Sequence, residues 1–174
     1  FWLLLIGAIL YYINEYNNTL KDHSFWGKIL VSIFNSATPR TAGFNIVDMT
    51  VLTTPTIMIT IFLMWVGASP GSTGGGIKTT TFAVSVLNLF NQIKGRTRLV
   101  YNWREISVES INQVNAVILL SFIAIGTSTL LLSYFEPNML FRNLLFEVVS
   151  AYSTVGLSLG ITASLSVPSK MVII

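Results

Sequence analysis

Thr38-Pro39-Arg40-Thr41-Ala42-Gly43-Phe44-Asn45, the first strip, follows a short apolar segment and precedes a longer one. Tyr152-Ser153-Thr154-Val155-Gly156-Leu157-Ser158, the second strip, lies in the same setting, and 113 residue positions separate its glycine from that of the first. Extended backbone cannot satisfy its own carbonyl groups inside a membrane and is tolerated only where another group does so. A dehydrated cation can supply that interaction. The two strips therefore predict a cation pore built twice in one chain.

The composition is typical of a membrane protein. Of the 174 residues, 52% are hydrophobic and 10% are charged, whereas soluble domains carry about a quarter charged residues. The net charge is +3, and four of the ten basic residues lie together between two apolar segments. These four are Lys94, Arg96, Arg98 and Arg104. Membrane topology explains this cluster better than nucleic-acid binding does, so no nucleic-acid partner is expected.

The apolar segments predict a series of helices. Residues 1–13 resemble the tail of a spanning helix, and residues 25–37 form a short helix that Ser24 could cap. At about 1.5 Å per residue the short helix reaches only about 20 Å, too little for a hydrocarbon core of about 30 Å, so it is predicted to be re-entrant. Residues 111–134 are long enough to span. Further helices are predicted over 52–65, 77–93 and 139–151, and from about Pro168 onward.

These segments predict an all-α membrane protein. One unit of helix, re-entrant helix, extended strip and helix covers residues 1–93, a second covers 108–174, and a basic linker, 94–107, joins them. Both ends of the chain lie inside apolar runs, which is expected of a piece of a longer protein. If both strips share one face, the basic residues 94–104 lie on the opposite face, which their charge places in the cytoplasm. The strips then face outside.

Three motifs in this order resemble the Trk, Ktr and HKT superfamily of potassium transporters, most closely its KtrB branch and then its TrkH branch. The resemblance implies four repeats around one pore, of which this chain would hold the third and most of the fourth. The motifs are Thr-Pro-Arg-Thr-Ala-Gly-Phe-Asn at 38–45, Gly-Ser-Thr-Gly-Gly-Gly-Ile-Lys-Thr at 71–79 and Ser-Thr-Val-Gly-Leu-Ser at 153–158.

The resemblance also implies a function and partners. It implies passive, gated uptake of potassium by a multi-pass protein of the plasma membrane. The full-length subunits would form a homodimer and bind a cytoplasmic ring of regulatory subunits, and nucleotide is expected only on that partner. A sodium or mixed sodium and potassium pathway remains open. The reason is that Ser158 and Asn45 replace the second glycine of the channel-type strip Thr-Val-Gly-Tyr-Gly.

Backbone carbonyl oxygens of the strips are the predicted ligands, and K⁺ is the only metal ion expected. Gly43 and Gly156 fit this role because a carbonyl aimed at a pore axis often needs backbone angles that a side chain forbids. The carboxyl ends of the short helices would direct their negative dipole ends at the cation. Ordinary turn glycines between helices are the alternative interpretation. The predicted filter residues are Thr41, Ala42, Gly43, Phe44, Thr154, Val155, Gly156 and Leu157.

The resemblance implies that the glycine-rich loop, residues 67–76, is an intramembrane gate, and the residues allow other interpretations. Gly67-x-Ser69-x-Gly71 matches a hydrolase nucleophile elbow, but the only histidine, His23, is predicted to lie about 20 Å from Ser69. A phosphate-binding loop is disfavoured because Ile77 interrupts its pattern. A glycine-rich helix crossing is the structural alternative. The predicted gate residues are Gly71, Ser72, Thr73, Gly74, Gly75, Gly76 and Lys78.

Two charged residues lie close to the strips. Arg40 belongs to the first strip, and Glu147 belongs to the short helix that precedes the second strip. Charges within a membrane are costly unless they are paired or hydrated. We therefore predict a structural ion pair between Arg40 and Glu147.

Overall fold

The computed structural model describes residues 1–95, 100–101 and 104–174, without the side chains of 100, 101, 104 and 105. Within these residues the regular elements are seven α-helices, two 3-10 helices, Met49–Val51 and Thr162–Ser164, and two short strands, Val100–Tyr101 (β1) and Arg104–Glu105 (β2), which pair antiparallel. Of the predicted basic cluster, Arg96 and Arg98 lie outside the described residues. The helices are Trp2–Glu15 (α1), Phe25–Ala37 (α2), Thr54–Trp65 (α3), Thr79–Ile93 (α4), Val108–Phe135 (α5), Phe141–Tyr152 (α6) and Val167–Ile173 (α7).

Local sequence signals account for several helix starts. The predicted helix over 25–37 is confirmed, and the Ser24 hydroxyl accepts a hydrogen bond of 3.2 Å from the backbone N–H of Gly27. Pro55 and Pro168 lie in the first turns of α3 and α7, where a missing N–H costs nothing. These helix starts are therefore encoded locally.

Helix α5 buries two hydroxyl side chains, with Ile125 and Leu132, and exposes many of its other apolar side chains. Ser121 and Thr129 are buried against the protein, whereas Leu119, Leu120 and Leu130 are exposed. Both hydroxyls donate to backbone carbonyls of their own helix. Of the described helices, α5 alone is both long enough and apolar enough to cross a membrane. Its pattern suits a lipid environment, where exposed leucine is not penalised and polar groups need internal partners.

The helix predicted to be interrupted near residue 67 is broken in the structure. Helix α3 ends at Trp65 and α4 begins at Thr79. The backbone N–H of Ile77 donates to the Trp65 carbonyl at 3.0 Å, and that of Thr79 donates to the Ala68 carbonyl at 3.3 Å. The glycine-rich loop therefore turns back beside the end of α3.

Two acidic side chains connect the first helix of each half to the start of its third helix. The Glu15 carboxylate accepts hydrogen bonds from the backbone N–H and hydroxyl of Thr53, the residue that precedes α3. Glu136, just after α5, accepts a hydrogen bond of 2.7 Å from the backbone N–H of Ser166, the residue that precedes α7. That bond, with those from the Ser166 and Ser169 hydroxyls, lowers the pKa of Glu136. The same capping interaction thus occurs in both halves.

The two halves contact each other along their helices. Helix α3 packs against α6, and α4 packs against α5. The guanidinium Nη1 of Arg142, in α6, donates to the hydroxyl of Thr54 at 2.7 Å. The hydrophobic core contains residues from both halves, including Ile57, Met64, Phe146 and Val149. This shared core positions the two strips relative to each other.

Replacing Glu15 by Gln should lower the free energy of unfolding by about 1–3 kcal/mol, because a buried carboxylate that accepts several hydrogen bonds becomes an amide that cannot accept them all. Denaturant unfolding of the full-length protein in detergent would measure this. Glu109→Gln, at an exposed position in the first turn of α5, is the matched control. Equal losses for the two variants would contradict the capping role.

Candidate functional site

Both strips contain a threonine and a glycine in the left-handed backbone region. Thr41 and Gly43 have φ values of 65° and 68°, and Thr154 and Gly156 have values of 52° and 85°. Among the described residues, Thr41 and Thr154 are the only non-glycine residues with positive φ. Such conformations cost about 1–3 kcal/mol for a residue with a side chain and cluster at functional sites. The two strips therefore share an unusual backbone geometry at equivalent positions.

The second strip alternates between buried and open residues. The side chains of Val155 and Leu157 are anchored in the hydrophobic core, whereas Thr154 and Gly156 are exposed. The hydroxyl of Ser150, near the end of α6, donates to the Leu157 carbonyl at 2.6 Å. One side of this backbone is thus fixed by packing while the other side remains open.

The first strip is held to α2 by a comparable contact. The Thr38 hydroxyl donates to the Phe44 carbonyl at 2.5 Å, and the backbone N–H groups of Ala42 and Gly43 both donate to the Thr38 carbonyl. The residue after the glycine differs between the strips: Phe44 is 70% exposed and Leu157 is 3% exposed. The first strip therefore lacks the apolar anchor that the second strip has. Sequence reasoning missed Thr38 and Ser150, although a hydroxyl residue at the end of each short helix was a usable signal.

The two strips meet directly. A Cβ atom added to Gly43 would overlap the carbonyl oxygen of Val155. Only glycine permits this approach, because any side chain would displace the neighbouring backbone. The structure therefore brings the predicted filter residues of both strips into one region.

A cavity of about 380 Å³ borders the open side of the second strip. Its lining combines residues of the strip with apolar, hydroxyl and carboxylate side chains. The polar lining residues are Glu147, Ser150, Thr154, Ser158 and Thr162.

The glycine-rich loop packs against the threonines of both strips. The backbone N–H of Gly75 donates to Thr154 Oγ1 at 2.9 Å. A Cβ added to Gly74 would lie 2.5 Å from Thr41 Oγ1. These contacts leave no room for side chains at residues 74 and 75. The predicted filter and the predicted gate residues are therefore in direct contact.

Lys78 fixes the shape of this loop. Its ammonium group donates to the carbonyls of Ser72 at 2.9 Å and Gly74 at 2.5 Å. The Ser72 hydroxyl accepts from the backbone N–H of Gly74 at 3.1 Å. Gly71 and Gly76 have positive φ values of 81° and 74°. Thr73 is exposed and completes the predicted gate segment.

Arg40 and Glu147 do not pair with each other in this structure. The Glu147 carboxylate, 5% exposed, accepts from the Ser158 hydroxyl, from the backbone N–H of Leu159 at 3.2 Å and from the Thr162 hydroxyl at 3.1 Å. Nε and Nη2 of Arg40 are buried without a hydrogen-bond partner among the described residues. Glu147 is satisfied by neutral donors that follow it in the chain, which explains why it does not need the arginine.

The geometry does not support the interpretation of the glycine-rich loop as a hydrolase site. Ser69 and His23 are both exposed, and no hydrogen bond joins their side chains. A catalytic serine needs a base within hydrogen-bond reach. The contacts made by the glycine-rich loop are with the strips instead.

Comparison with known proteins gives a consistent result. The model of the TrkH family, described as a cation transport protein, matches residues 2–174. The Ktr system potassium uptake protein B of Vibrio alginolyticus is 38% identical over 99% of this chain, and protein D of the Ktr system of Bacillus subtilis is 38% identical over 98%. The potassium/sodium uptake protein NtpJ of Enterococcus hirae is 34% identical over 99%.

The chain covers only part of the length of these relatives. The chain spans 38% of the length of the two Ktr proteins and 39% of the length of NtpJ. These relatives are named as uptake proteins and not as enzymes. The predicted resemblance is confirmed, and the chain belongs to the TrkH family of cation transport proteins.

Proposed function

We propose that this chain forms part of a pore for potassium uptake, with the two strips as its selectivity filter. The observation that carries the proposal is the meeting of the strips at Gly43 and the Val155 carbonyl, with left-handed threonine and glycine at equivalent positions of each strip. The names of the Ktr relatives, which are potassium uptake proteins, support the choice of ion.

In the proposed filter, protein oxygens replace the hydration shell of the ion. Backbone carbonyls of residues 41–44 and 154–157 are the ligands, and they carry no formal charge that would hold the ion too tightly. The two strips would contribute to one pore together with equivalent strips of the full-length protein. Helices α2 and α6 end just before the strips, so each directs the equivalent of about half a negative charge toward the ion.

The glycine-rich loop is the proposed gate. It lies against Thr41 and Thr154 and would block permeation at that end of the filter. Its small residues allow the backbone to leave the strips without moving bulky side chains. Lys78 holds the closed shape through two carbonyl groups. We take residues 71–76 and Lys78 as the moving part.

The remaining features of the proposal concern the assembly. We place the protein in the plasma membrane as a multi-pass subunit, with residues 1–93 and 108–174 as pore repeats, the strips facing outside and the linker 94–107 in the cytoplasm. A homodimer and a cytoplasmic, nucleotide-binding ring subunit follow from the resemblance to Ktr proteins. The Ktr relatives are named as components of a system, which agrees with a multi-subunit transporter.

A sodium or mixed pathway is the second candidate. NtpJ is named as a potassium/sodium uptake protein, and it matches this chain nearly as well as the Ktr proteins do. Asn45 and Ser158, which replace the second glycine of the channel-type strip, would reduce the number of ion positions. Relative uptake of the two ions by the full-length protein separates the candidates.

Gly43→Ala and Gly156→Ala in the full-length protein should both reduce potassium uptake or its preference over sodium. We expect an effect of about tenfold or more, since one strained residue costs about 1–3 kcal/mol. Gly43→Ala should be more severe, because its Cβ would overlap a carbonyl, whereas Gly156 has open space around it. Ion uptake in potassium-requiring cells measures both variants.

Gly126→Ala is the matched control for the two filter variants. Gly126 lies within α5 with open space around its Cα, and its φ is not positive. Uptake by this variant should equal that of the parent protein. If both filter variants transport both ions like the control, the strips are not the filter.

Gly75→Ala, or deletion of residues 71–76, should produce a leak. A Cβ on Gly75 would lie 2.8 Å from Thr154 Oγ1 and from the Ser153 carbonyl oxygen, so the loop could not stay against the strips. Potassium efflux from proteoliposomes under conditions that close the parent protein would measure the leak, with Gly126→Ala as control. Tight closure of both variants would contradict the gate assignment.

A further inference from the structure

The hydroxyl of Thr154 links the loop to the second strip. Its oxygen accepts a hydrogen bond of 2.9 Å from the backbone N–H of Gly75. Thr154 is exposed on the open side of the strip and borders the 380 Å³ cavity. A hydroxyl oxygen is the kind of ligand that a dehydrated monovalent cation accepts alongside carbonyls. The loop therefore occupies an oxygen that belongs to the proposed ion path.

The loop also fills the space beside this oxygen. Cβ atoms added to Gly74 and Gly75 would lie within 3 Å of the threonine side chains of the first and second strips, respectively. The two glycines are consecutive, so the same short piece of backbone covers both threonines. A cation that reached the Thr154 hydroxyl from the side of the loop would have to displace that backbone.

Electrostatic interactions also disfavour a cation at Thr154 Oγ1 while the loop is in place. The N–H of Gly75 directs the positive end of its dipole at Thr154 Oγ1, where a cation would also have to bind. The ammonium group of Lys78 lies on the Gly74 carbonyl, at the adjacent residue. An ammonium group in the loop repels a cation by an amount that falls with the distance between them. The contact of the loop with this oxygen therefore disfavours a cation there.

We propose that the glycine-rich loop and a dehydrated monovalent cation alternate at the Thr154 hydroxyl, so that a cation at this end of the filter releases the loop. This inference rests on the proposed function and adds regulation of the gate by the transported ion. The coupling is reciprocal. Contact of the loop with Thr154 lowers the affinity of this hydroxyl for a cation by the same factor by which a bound cation lowers the stability of the loop contact. Thr154 then acts as a positioning residue for the gate as well as a ligand.

The residue before Thr154 offers a reporter for this movement. Ser153 is 0% exposed, and its hydroxyl has no hydrogen-bond partner among the described residues. A Cβ atom added to Gly76 would lie 3.2 Å from that hydroxyl oxygen, so the loop is one of the segments that shield the oxygen from solvent. Cysteine is close to serine in size, and this chain contains no other cysteine. A Ser153→Cys thiol should react only when the loop has left the strips.

The test uses the full-length protein with Ser153→Cys as its single cysteine, reconstituted in proteoliposomes. A small thiol reagent is applied in potassium or in a large organic cation at equal ionic strength. Potassium should raise the modification rate by about fivefold or more, a typical coupling between sites. A rate that does not respond to potassium would overturn the proposal.

Thr154→Val added to Ser153→Cys removes the hydroxyl but keeps the branched shape of the side chain. Modification should then be fast and independent of potassium, because both the loop contact and the cation ligand are lost. Thr154→Ser keeps the hydroxyl, so potassium should still raise the modification rate in this variant. It provides the test if the valine variant fails to fold. A potassium response that persists without the hydroxyl would also overturn the proposal.

Ion selectivity of Gly156→Ala separates this inference from the proposed function. Altered selectivity together with potassium-independent modification of Ser153→Cys rejects the alternation alone. Unaltered uptake and unaltered selectivity in both Gly156→Ala and Gly43→Ala reject the filter itself.

Discussion

The approach of Gly43 to the carbonyl oxygen of Val155 is the constraint on which the site depends. The two residues lie more than a hundred positions apart, and their contact requires both short helices to end at the right place. Thr38 fixes the strip that follows α2, and Ser150 fixes the strip that follows α6. The shared core of the two halves then holds these helix ends together. A side chain at residue 43 would act against all of these contacts.

The protein satisfies its buried carboxylates Glu147 and Glu15 from within the chain, as a lipid environment requires. Glu147 accepts hydrogen bonds from two hydroxyls and one backbone N–H, and Glu15 accepts from Thr53 and its neighbours. Neutral donors suffice because each carboxylate oxygen has its own partner. The buried Nε and Nη2 of Arg40 lack such partners among the described residues.

The glycine-rich loop and the proposed filter both require residues without side chains where they meet. Gly74 and Gly75 let the loop backbone reach the threonines of both strips, and Lys78 stabilises the loop shape that makes this possible. The threonines themselves adopt left-handed backbone conformations. Closure in the proposed pore is thus a contact between two irregular backbone segments and does not involve bulky apolar side chains.

The sequence by itself determined the helical segments, the interruption near residue 67 and the location of the strips. These features depend on local signals: apolar runs, Ser24 as a cap, prolines in first turns and glycines at repeated spacing. Only the tertiary structure decided the pairing of groups far apart in the chain. Gly75 contacts Thr154 across 79 positions, and Glu147 takes hydroxyl partners where the sequence suggested Arg40. The reason is physical, since local periodicity fixes which face a residue occupies, whereas the partner on that face depends on how the helices pack.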